Sequence, residues 1–87
     1  LMKVMRIGSS LINLTNFVSI DGHTCNDGVI LTIEHDHSVK EYLVPNEIDP
    51  ELVVCVVLDC LSQYANFDLL YKLKARRAMI NYDEDDD

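Results

Sequence analysis

Apolar and polar residues alternate from Leu11 to Ile20. Ile12, Leu14, Val18 and Ile20 share one side, while Asn13, Thr15 and Ser19 share the other. A period of two with β-branched residues predicts a half-buried strand. A shorter strand is expected over Lys3–Ile7, with Gly8-Ser9-Ser10 as the intervening turn or bulge. Asp21–Gly28, with two glycines, two aspartates and an asparagine, reads as a loop. Val29–Glu34 follows as a strand that places Val29, Leu31 and Ile33 on one face. His35-Asp36-His37-Ser38 suits a short hairpin loop, Val39–Val44 returns as a strand, and Pro45 stops it.

Asp49-Pro50-Glu51 is a helix-start signal: a capping carboxylate, a proline for the first helical position and an acid that complements the helix dipole. The helix is predicted to run to about Ala65. Its apolar residues, from Val53 to Ala65, cover roughly 200° of the helix, wider than the stripe of about 100° that one core contact needs. Asp59, Ser62 and Gln63 form the polar side. The excess apolar arc calls for a second contact, either the last helix or the same helix of a second subunit. Asn66 is a candidate cap for a second helix over Phe67–Ile80. Its apolar residues divide into Phe67/Tyr71/Ala75/Ala78/Tyr82 and Leu69/Leu73/Ile80, so this helix too is two-sided.

These elements predict an α+β fold: a three- or four-stranded antiparallel β-meander packed by one amphipathic helix, followed by a C-terminal helix and an acidic tail. With 87 residues the chain has material for one core, so residues 1–82 are expected to form a single small domain and residues 83–87 the tail. The apolar share of 48% is that of a globular chain rather than a disordered one.

Charge is segregated. Between Ile7 and Tyr71 the sequence has ten carboxylates and one cation, Lys40; Lys72, Lys74, Arg76 and Arg77 follow, and Asp83–Asp87 are all acidic. The net charge of −8 argues against nucleic-acid and anionic-lipid partners and for basic ones. The four cations near the C-terminus spread around a helix rather than forming one stripe, and a local role with the helix dipole or the acidic tail is expected for them. There is no stretch of about 18 apolar residues for a membrane span and no basic-then-apolar leader. The three cysteines are odd in number, and the five-residue spacing of Cys55 and Cys60 points their sulfurs apart on a helix. Free thiols, with Cys55 and Cys60 in or near a core, and a reducing, cytoplasmic location are expected.

Candidate chemistry is sparse. His23-Thr24-Cys25 and His35-Asp36-His37 contain metal-ligand types, but the strand between them separates the two groups by roughly 20 Å. Asp21, Asp27 and Gly28 lack the alternating acids and closing glutamate of a calcium loop. Glu47, Asp49 and Glu51 cluster where a helix N-terminus favours negative charge. No nucleophile motif and no phosphate-cradling glycine loop is present, so neither catalysis nor a cofactor is expected.

The expectation is therefore a small, acidic, non-catalytic protein-interaction module that forms a homodimer and docks on a basic protein partner. Val53, Val54, Val57, Leu61 and Tyr64 are the candidate self-association face; Glu34, Asp36 and Glu41 are the candidate acidic partner face. The alternative is an inhibitor of phage or mobile-element type that mimics nucleic-acid charge. Metal binding through surface histidines is an outside alternative.

Overall fold

Gly8, at φ +60°, turns β1 (Val4–Ile7) back into β2 (Ser10–Asn13), and the two strands pair antiparallel from Val4↔Asn13 to Ile7↔Ser10. The structure, a computed structural model, describes residues 2–85, with side chains through residue 80. The predicted strand Leu11–Ile20 is two strands. The Asn13 side chain accepts a hydrogen bond from the Thr15 backbone N–H at 2.8 Å, and Asn16 adopts a left-handed conformation at φ +60°. Short amide side chains satisfy the backbone locally in this way and tolerate that conformation, so the chain turns. Ile12 and Leu14 are buried as the alternation requires, but Val18 lies beyond the turn and is 62% exposed.

The predicted loop Asp21–Gly28 is instead mostly strand. β3 spans Ser19–Cys25, and only Asn26 and Asp27 make the turn into β4 (Gly28–His35). Gly22 misleads a reading from sequence because its role is tertiary. A Cβ there would sit 3.1 Å from Val54 Cγ2 and 3.2 Å from the Pro50 carbonyl oxygen, so the glycine marks a close approach of helix to strand. β4 matches expectation: Val29, Leu31 and Ile33 are fully buried. Asp36 and His37 then turn into β5 (Ser38–Pro45), which pairs with β4 from His35↔Ser38 to Gly28↔Pro45. This is the antiparallel meander, in the order β3-β4-β5.

α1 (Pro50–Gln63) starts as its sequence indicates, with the Asp49 side chain accepting from the Leu52 N–H at 3.2 Å and Pro50 in the first helical position. Its far end is closed by a residue from the other end of the chain. Lys3 Nζ donates to the carbonyls of Leu61 at 2.9 Å and Tyr64 at 3.2 Å, placing a cation on the last turn, where orphaned carbonyls and the dipole favour it.

The second helix begins later than expected. Asn66–Asp68 form a short strand, β6, parallel to β1, with Phe67 opposite Met5. The backbone N–H of Val4 also donates to the Ala65 carbonyl at 2.9 Å. Phe67 is thus a buried strand residue, and the cap of α2 (Leu69–Asp85) is Asp68, which accepts from the Tyr71 N–H at 3.2 Å, rather than Asn66. The second sheet has the order β2-β1-β6. α2 extends into the acidic segment as far as Asp85; the remainder of the expected tail lies outside the described residues. The fold is α+β, two three-stranded sheets and two helices around one core built on Met5, Leu14, Leu31, Ile33, Val53, Val57, Leu69 and Leu73.

Candidate functional site

Because Val29, Leu31 and Ile33 of β4 point to the core, Ile30, Thr32 and Glu34 point the other way. The pairing register extends this outer face across three strands in rows: Ser19–Glu34–Val39, Asp21–Thr32–Glu41 and His23–Ile30–Leu43. Asp21, His23, Glu34 and Glu41 are exposed, Val39 is 61% exposed and Leu43 41%. This face therefore carries three carboxylates on an apolar ground of Ile30, Val39 and Leu43, and among the described residues it holds no lysine or arginine. Lys40 pairs with Ile33 on the opposite face. The Ser19 hydroxyl lies 3.2 Å from Glu34 Oε1, to which it donates.

Of the acidic residues named from sequence, Glu34 and Glu41 share this face as diagonal neighbours on adjacent strands. Asp36 sits apart at the hairpin tip, where His37 Nε2 is 3.7 Å from its carboxylate. Asp21 completes the row and was missed because its segment resembles a loop; the signal for it is the period-two match of Asp21 with Ser19 and His23.

The five residues of the candidate self-association face do not form one outward stripe. Val53 and Val57 are wholly buried in the chain's own core, Val54 and Leu61 are half-buried, and Tyr64 is 39% exposed. The wide apolar arc of α1 is largely covered within the chain, since Val53, Val56, Val57 and Cys60 belong to the same core as Leu69 and Leu73 of α2 and Leu31 and Ile33 of β4.

The cations of α2 are drawn towards the body of the protein. Arg76 Nη2 lies 3.0 Å from Asp59 Oδ2 on the polar side of α1, Arg77 pairs with the buried Glu47, and the Lys72 ammonium stands 4.2 Å from the centroid of the Tyr64 ring. Sequence placed Glu47 in a helix-start cluster; its partner comes from the other helix, and no local pattern points to it.

His35 occupies the end of β4, with Nε2 3.0 Å from the Asn13 carbonyl oxygen, a bond that joins the two sheets when that nitrogen carries the proton. No group of three or more His, Cys, Asp or Glu able to hold a metal ion occurs among the described residues. All three cysteines are free. Cys25 and Cys55 are exposed; Cys55, expected in or near a core, lies on the side of α1 that borders Asp21 and Gly22. Cys60 is buried, and burial pushes its thiol above the ordinary value, with nearby Asp59 acting in the same direction and Lys72 and Arg76 opposing. Among the described residues no helix is long and apolar enough to cross a membrane. Compared with known proteins, the chain matches no family model, no curated sequence and no solved structure.

Proposed function

We propose that this protein is a small, acidic, non-catalytic interaction module that self-associates and receives a basic protein partner on the outer face of β3-β4-β5. The observation that carries this reading is the open sheet face itself. It combines Asp21, Glu34 and Glu41 with exposed Val39 and Leu43, and its cation is turned to the other side. Apolar area supplies affinity and the carboxylates supply steering and partner choice, so the fitting partner presents lysine or arginine interleaved with apolar side chains.

The charge-mimic alternative draws on the same three acids. A mimic of a phosphate chain needs a row of carboxylates, and here Ile30, Val39 and Leu43 interrupt it.

The test is fluorescence anisotropy of a labelled peptide that alternates lysine with leucine, titrated with the protein at low and moderate salt. Binding should weaken with Glu34→Lys/Glu41→Lys and with Leu43→Ser, and survive Glu51→Lys. Loss with the charge reversals alone, together with a steep salt dependence, supports the mimic. Equal loss in every acidic variant would remove the outer face as the site.

A further inference from the structure

We infer that the basic partner is held as an added strand, an extended segment of alternating apolar and basic residues that pairs with the free edge of β3. The inference rests on the basic partner of the proposed function and supplies its mode of attachment. β3 lies at the end of its sheet, with β4 as its one strand neighbour. The two-residue turn Asn26-Asp27 makes Cys25 and Gly28 a hydrogen-bonded pair, and alternation along the ladder makes His23↔Ile30 and Asp21↔Thr32 the next two. The backbone N–H and C=O groups of Ile20, Gly22 and Thr24 are therefore directed away from β4, and among the described residues no other strand takes them up. A row of such groups at strand spacing fits one kind of occupant, another extended backbone. The remaining edges are less open. β2 and β6 have four and three residues, and β5 carries the exposed Lys40 and ends at Pro45. Shortness, lysine and proline all keep strands from adding to an edge. β3 has seven residues and no lysine, arginine or proline.

The surroundings of the edge fix the side chains of that segment. Beside β3 a groove of about 510 Å³ runs along the first turns of α1, with Ile20, Pro50, Val54 and Cys55 as its apolar lining. Its charged residues are Asp21 and Glu51, and no lysine or arginine lines it. Side chains of an added strand alternate: those on the side of Ile20 and Gly22 enter the groove, and those between them lie beside Asp21 and His23 on the outer face. The first set is therefore apolar and the second basic. Glu51 borders the apolar row rather than the basic one, so its charge is not drawn on. The basic row meets the acidic outer face at Asp21, and the partner's residues beyond the strand extend across that face to Glu41 and Leu43. A second copy of this chain fits less well, because pairing two β3 edges gathers Asp21, Asp49 and Glu51 of both copies at one junction with no groove-lining cation between them.

Amide hydrogen exchange of the full chain, with the peptide that alternates lysine and leucine as the probe, tests the pairing. In the free protein the amides of Asp21 and His23 should be protected, while those of Ile20, Gly22 and Thr24 exchange fast. Saturating peptide should slow these three at least about tenfold. Unchanged exchange at the three with peptide bound would overturn the strand addition. Their protection in concentrated protein without peptide would give the edge to a second copy and overturn the basic occupant. Peptides methylated on every leucine nitrogen, or on every lysine nitrogen of the backbone, lose the donors on one side of the strand only. One of the two should bind at least about tenfold more weakly, a change of about 1.4 kcal/mol, and the other should bind as before; equal effects would contradict pairing along one edge. Cys55→Arg, at an exposed position that leaves circular dichroism unchanged, should weaken the unmodified peptide to a similar extent, and full binding by that variant would remove the groove from the site. Binding that responds to Leu43→Ser but to neither methylation would sink the added strand and leave the outer face standing, whereas a peptide that does not bind at all would remove both.

Discussion

Arg77 of α2 reaches the carboxylate of Glu47, in the segment before α1, and Glu47 is only 8% exposed while the Arg77 side chain is 48% exposed. The pair is lopsided: the acid is desolvated and the base is still half in water. Removing the base therefore does more harm than the modest worth of an exposed ion pair, because it strands a buried charge. Arg77→Ala should lower stability by about 1–3 kcal/mol in urea unfolding. Glu47→Gln should cost less, and the double variant should cost less than the two single losses added together. Additive losses would mean that the two side chains do not act as a unit.

Gly28 is the position least open to substitution. An added Cβ would lie 2.2 Å from the Val44 carbonyl oxygen and 3.0 Å from the Asn46 nitrogen, at a φ of +154°. Backbone cannot yield as a side chain can, so Gly28→Ala should cost on the order of 3 kcal/mol or more. Gly8 has a φ of +60° but nothing within 4 Å of an added Cβ, so Gly8→Ala should cost only about 1–2 kcal/mol. Denaturant midpoints of the two variants check the ranking, and equal effects would contradict it.

Lys3 closes the end of α1, and a side chain of similar length without charge tests that role. Lys3→Met should cost about 0.5–1 kcal/mol and speed amide exchange in the last turn of α1, leaving the Asp49 end protected. Uniform protection along α1 in that variant would argue against the cap.

Cys60 gives a pH dependence with a definite sign. Its thiol is raised in the folded protein by burial, so folding favours the neutral form. That contribution is fully present below the ordinary thiol range and fades as pH rises through the raised value. Cys60→Ala should therefore show a shallower loss of stability above about pH 9 than wild type, even if it starts lower. In a native thiol assay Cys25 and Cys55 should react promptly and Cys60 only on opening of the core. Three fast thiols would place Cys60 at the surface.

Sequence pattern revealed whichever parts depend on near neighbours. Val29, Leu31 and Ile33 signal β4 because their burial follows from period two alone. Asp49-Pro50 signals α1 because a cap is a contact over three residues. The failures share the opposite property. Gly22 looks like a loop residue until Val54 is seen against it, and Asn66–Asp68 look helical until β1 offers a strand to pair with. Glu47 and Arg77, or Lys3 and Tyr64, meet only through the fold. The acidic face was half legible for the same reason: Glu34 and Glu41 sit on recognisable strands, whereas Asp21 needed β3 to be found first.

The parallel pairing of Val4 with Asn66 has a consequence for the order of assembly. The meander from Ser19 to Pro45 closes through two tight turns between adjacent strands, so it can form as soon as those residues are free to search. The β2-β1-β6 sheet cannot be completed that way: β1 pairs with β2 across a tight turn, but β6 comes only after α1, across a loop of most of the domain. Loop closure of that length is slow and entropically costly. The meander and α1 should gain protection first, and docking of Val4–Ile7 beside Asn66–Asp68 should be the late event that commits the chain to its native state.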